Sequence, residues 1–146
     1  MGGGKVVNSR RRARIVALQV LYEHDAVGHP WISCLERLVV ENSLSQDAAS
    51  FVKEVVQGVL SKHQQIDSTI ERFATNWPLS QLAIIDRNLL RMAIYELMWS
   101  ENTPPRAAIN EAVELAKLFG SENSPRFING VLGSIMDSTA GLRAKG

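Results

Sequence analysis

Cysteine is almost missing. A single residue, Cys34, leaves no intramolecular disulfide and no multi-cysteine metal site to build. His24, His29 and His63 are scattered at no metal-ligand spacing, so no metal is expected. No apolar run approaches the ~20 residues a membrane-spanning helix needs, and the amino end lacks the apolar segment of a signal peptide. Position 6 is Val6 where an N-myristoylation pattern requires Ser or Thr. Phosphate-loop and dinucleotide fingerprints are missing too. Gly2-Gly3-Gly4-Lys5 follows no strand, and no hydroxyl residue follows the lysine. No cofactor, no membrane and no enzyme are expected, and the compartment implied is the cytoplasm.

What is present is helical. Hydrophobic residues make up 45% of 146 and charged residues 21%, a composition for one globular domain with its own core. Apolar spacing follows the helical period, with no convincing strand alternation or hairpin signal. The pattern predicts an all-α fold of about seven helices in two packed helical subdomains that divide near Trp77. Residues 1–8 read as a mobile tail, 9–137 as the helical domain and 138–146 as a frayed end. Ser9 is the expected N-cap of a first helix reaching about Val27, where Gly28 and Pro30 break the chain. A second helix covers about 31–42, with Ile32, Leu35, Leu38 and Val39 facing inward. Ser45 caps a third, which breaks near Lys62-His63 before a fourth. Ser80 starts the most apolar helix, about 81–99. Thr103 before Pro104-Pro105 reads as the cap of the next, which stops at Gly120. Asn123 or Ser124 begins the last.

Charge is unevenly placed. Lys5, Arg10, Arg11, Arg12 and Arg14 precede Ile15 with no acid among them, which leaves −4 on the rest of a chain whose net charge is +1. A basic pole on a mildly acidic body is a binding signature. Placed in a first helical turn beginning at Ser9, these cations oppose the helix dipole, an arrangement that suits an external polyanion. A solvated basic tail is the other reading. Stackable rings lie near cations at Tyr22 and at Arg126-Phe127, the pairing that holds single-stranded RNA. For Phe127, core packing competes with stacking. Asp86 and Glu96 stand ten residues apart on one helix, about 15 Å along its axis, too far to share one reacting atom. Each is expected to accept backbone N–H groups or to pair with Arg87 or Arg91; if exposed, it is a candidate contact for a basic protein partner. Cys34 reads as a small packed hydrophobe.

Several stretches resemble one family. Arg10-Arg11-Arg12-Ala13-Arg14 with Ala17-Leu18-Gln19 and Leu21-Tyr22 is similar to the opening of the NusB family of bacterial transcription antitermination factors. Leu90-Arg91-Met92-Ala93-Ile94-Tyr95-Glu96-Leu97 resembles its central helix, Ala108 to Lys117 with Phe119-Gly120 the next, and Phe127-Ile128-Asn129-Gly130-Val131-Leu132 its last. Residues 28–80 match only in helical pattern. The resemblance implies a non-enzymatic protein that binds single-stranded boxA RNA in ribosomal RNA leader transcripts. It also implies pairing with NusE, a small-subunit ribosomal protein, within an RNA polymerase antitermination complex. The RNA contacts it implies are Arg10, Arg11, Arg12, Arg14, Tyr22, Asn123, Arg126 and Phe127, with Asp86 as the partner contact. A homodimer that masks the RNA site is left open by the sequence. So are two other readings: a protein-interaction adaptor, and a relative of the amino-terminal domain of ribosomal RNA cytosine methyltransferases. The last of these shares the Phe-x-Asn-Gly-Val-Leu ending but continues into a cofactor-binding domain, whereas this sequence stops soon after Leu132.

Overall fold

The computed structural model describes residues 2–139, and the side chains of residues 9–138. Among them are seven α-helices and no strand: α1 (Gly2–Val27), α2 (Trp31–Glu41), α3 (Gln46–Ser61), α4 (His63–Phe73), α5 (Ile84–Trp99), α6 (Pro105–Phe119) and α7 (Ser124–Thr139). A single 3-10 turn, Leu79–Gln81, lies between α4 and α5. Among the described residues, no helix is long and apolar enough to cross a membrane.

The chain divides into two compact units, one ending at Gly58 and the other beginning at Val59. The division expected near Trp77 is therefore displaced. The reason is that α4 packs on α5 and α7, so its core residues Ile66 and Ile70 belong with the second unit.

In the first unit α1 packs along α2. Val16, Ala17, Leu18, Val20 and Leu21 of α1 are buried. Gly28 ends the helix in the left-handed region, φ 72°, with its N–H on the His24 carbonyl at 3.1 Å. The inward face of α2 is set by Cys34 and Leu38, one turn apart, and Ile32 points outward instead of inward. Ser45 caps α3 as expected: its hydroxyl oxygen accepts the Ala48 N–H at 3.1 Å.

The second unit is built around α5, which packs on α4, α6 and α7. Every residue from Asn88 to Leu97 except Arg91 is buried, as the apolar circumference of this helix requires. It begins at Ile84, not near Ser80, which lies in the 3-10 turn. Thr103 does not cap α6. Pro104 holds that position, and the Thr103 hydroxyl donates to Glu96 Oε1 at 2.9 Å, satisfying a carboxylate only 2% exposed. In α7 the Asn123 carbonyl accepts the first helical bond, from Phe127 N at 3.1 Å. Ile128, Leu132 and Ile135 sink its inner face fully into the core. The helix runs through Ser138 and Thr139, where a frayed end was expected; residues 140–146 lie outside the described residues.

Candidate nucleic-acid interface

The first arginine cluster is not in a first turn. α1 starts at Gly2, so Ser9 is not its N-cap, and Arg10 follows about two turns of helix. The dipole conflict expected for these side chains is therefore relieved, because the macrodipole fades beyond the terminal turn. The Lys5 side chain lies outside the described ones.

What organises the cluster is a ring on α3. The Arg10 guanidinium lies 4.1 Å from the centroid of Phe51, and that of Arg14 lies 5.1 Å from the same ring. Arg14 is 6% exposed and is part of the fold's interior surface, while Arg10 and Arg12 are exposed and Arg11 is half-buried. Arg12 donates to the Asn42 carbonyl at the end of α2. These contacts fix the reach of side chains that would otherwise sample many rotamers. Phe51 was read only as a core position. Nothing in its spacing separates a ring that fills a core from one that also carries guanidinium groups.

Along α1, at 100° per residue, Arg11 and Tyr22 differ by only about 20° in azimuth, and Gln19 and Arg12 lie together about 60–80° to one side of Tyr22. Tyr22 is 39% exposed, so the apolar arc that includes it on a wheel does not bury it. One outward face of α1 thus carries cations near its middle and a phenol ring about 12 Å beyond Arg14.

At the far end of this unit's α1, Glu23 closes a small ionic network that the sequence did not reveal. Its Oε1 accepts from Arg37 Nη2 at 2.9 Å, and its Oε2 lies 3.0 Å from His29 Nδ1. These hydrogen bonds, from His29 first and then Arg37, hold the Glu23 carboxyl down to about 2. Burial, aided by Glu23, pushes the Cys34 thiol up, so it stays protonated and packs as expected.

In the second unit, Asn123 and Arg126 are exposed at the start of α7 and Phe127 is half-buried. Arg126 and Phe127 line an open cleft of about 310 Å³ with Asn76, Trp77, Leu82 and Gly130. Trp77 is 60% exposed there. Its place beside Pro78 in a loop was the available signal for a displayed ring, and it was read only as a boundary.

Asp86 stands in the first turn of α5. The arginine pairing expected for it is not found: its Oδ1 is buried with no hydrogen-bond partner, while Arg91 makes a bidentate bond to Asp67 at 2.9 and 3.2 Å. No group of three metal-ligating side chains occurs among the described residues.

Comparison with known proteins places this geometry in context. The family model described as "NusB family" matches residues 11–137. A transcription antitermination protein NusB from Dehalococcoides mccartyi is 44% identical over 135 residues, covering 92% of this chain and 94% of that one. A solved NusB of T. maritima superposes with a TM-score of 0.81 at 32% identity, covering 88% of this chain and 90% of that chain. A solved complex of antitermination factors NusB and NusE with double-stranded RNA contains a chain matching at TM-score 0.82 and 29% identity, covering 90% of this chain and 98% of that one. A family model matching residues 11–137 and 44% identity to a NusB protein over 92% of the chain establish that the chain belongs to the NusB family.

Proposed function

We propose that this protein is a non-enzymatic, cytoplasmic antitermination factor that binds boxA-type RNA of ribosomal RNA leader transcripts together with NusE. In this reading it joins the RNA polymerase complex that resists termination. The observation that carries the proposal is the outward face of α1, where partly exposed Arg11 aligns with exposed Tyr22 and exposed Arg12 lies to one side of them. Cations follow a phosphate backbone, and a free ring stacks unpaired bases. Arg10 contributes from the Phe51 ring, and Arg14 acts from beneath, as part of the mount. Asn123, Arg126 and Phe127 supply a second contact region. The solved NusB–NusE neighbour supports an RNA-binding role with that partner, although its RNA is double-stranded.

NusE is assigned to the surface around Asp86. Asp86 as a whole is only half-buried, and an acidic side chain at the surface suits a basic face of another protein. Filter binding tests the whole reading: labelled boxA RNA against a scrambled strand and a boxA duplex, with and without NusE. Preference for single-stranded boxA, tightened by NusE, is expected. Equal binding of all three RNAs would leave only a nonspecific basic face.

A further inference from the structure

The cleft beside α7 has a composition that folding alone does not call for. Its floor is apolar, from Leu82 and Val131, and its rim carries Asn76, Trp77 and Arg126. A 60%-exposed indole forgoes most of the burial that makes tryptophan useful to a core. Gly130 lies in the cleft wall within α7, where a Cβ would meet nothing within 4 Å. Packing therefore does not demand glycine at that site, and a glycine inside a helix is less favourable than alanine. Glycine leaves this part of the wall without a side chain. None of the described lining residues is acidic, and Arg72 stacks over the lining ring of Phe73 at 5.3 Å, adding positive charge nearby.

We propose that this cleft is a nucleobase subsite, in which one unstacked base of the bound RNA enters over Gly130 and stacks on Trp77. The Asn76 amide, with both donors and an acceptor, reaches the base edge, and Arg126 holds the adjoining phosphate. A volume of about 310 Å³ sits at the small end of ligand pockets, suited to a single base. The flanking cations and absent carboxylates favour a polyanion over an apolar protein side chain. The proposal rests on the RNA-binding reading and extends it to Trp77, a ring that in the sequence reads only as a boundary.

Fluorescence anisotropy with labelled single-stranded boxA RNA tests it on the full chain, with circular dichroism and melting curves reporting the fold. Trp77→Ala is expected to weaken binding roughly 5- to 150-fold, the range for a base that loses its stacking ring, while Trp77→Phe retains most of the affinity. Gly130→Leu, which fills the hollow from a helix position with open space, is expected to weaken binding comparably, and Gly130→Ala to leave the melt unchanged or raised. Neither effect should alter the salt dependence, because no phosphate contact is removed. If Trp77→Ala fails to fold, Gly130→Leu decides alone. Wild-type affinity in the folded variants overturns the subsite while leaving RNA binding intact. Lost NusE affinity with unchanged RNA affinity overturns it in favour of a protein site. A wild-type protein that binds no RNA removes the underlying reading as well.

Discussion

Two regions of this molecule pair arginine with an aromatic ring, and they do so in opposite ways. In the first unit the ring serves the protein: Phe51 lies beneath Arg10 and Arg14, and Arg12 is tied to the Asn42 carbonyl. In the second unit the rings face outward, with Trp77 and Phe127 along an open cleft and Arg126 exposed at its rim. A guanidinium cluster fixed by its own scaffold offers a rigid electrostatic face, suited to a backbone of phosphates. A hollow with displayed rings offers surfaces to bases. Backbone contacts set position and base contacts set sequence preference, so the difference divides affinity from specificity.

The comparison breaks most sharply at Phe51. Phe51→Ala is expected to cost about 3–5 kcal/mol in chemical denaturation, as for other buried phenylalanines. Phe51→Leu keeps the apolar volume but removes the ring, so it should cost less stability and still weaken RNA binding. Retained RNA affinity in Phe51→Leu would show that the arginines do not need their platform. The counterpart in the second unit is Phe127→Ala, expected to weaken RNA binding by about 1–3 kcal/mol if a base stacks on the half-buried ring. A folded variant with unchanged affinity returns Phe127 to packing alone.

Smaller effects sharpen the picture of how α1 is held. Gly28→Ala should cost about 1 kcal/mol in thermal or chemical unfolding. The left-handed φ is its only obstacle, since a Cβ there meets nothing within 4 Å. The smallest is Glu23→Gln, about 1 kcal/mol or less, because the network is partly solvated. Its folded-state carboxyl is depressed, so the stabilisation is complete above about 4.5 and fades as pH falls toward about 2. Denaturation of both proteins across that window should show their stability difference shrinking; a constant difference would assign the effect to packing.

Much of the architecture was legible because apolar spacing and turn residues act locally. Gly28, Ser45, the Lys62-His63 break and Gly120 end or start helices where their chemistry says they should. What escaped was set by tertiary contacts. Thr103 has the look of a cap, yet a buried Glu96 claims its hydroxyl, and no local pattern reports that demand. The unit boundary falls at Gly58 because α4 buries Ile66 and Ile70, although the loop at Trp77 is the stronger local break. At the interface, the arginine-rich stretch was visible as charge. The burial of Arg14 on Phe51 was not, since an arginine in a helical pattern reads as a surface residue. Trp77 was visible but carried no sign of the hollow beside it.

The central claim is that these arginines bind RNA through its phosphates, and the salt dependence of boxA RNA affinity tests it most directly. Arg10, Arg11, Arg12 and Arg126, each neutralising one phosphate, predict a log–log slope of about −2.8 on a single strand. Replacing Arg10 and Arg12 together with alanine should flatten it by about 1.4 in a protein that still folds. A wild-type slope near zero, or one that the double substitution leaves unchanged, would contradict the account.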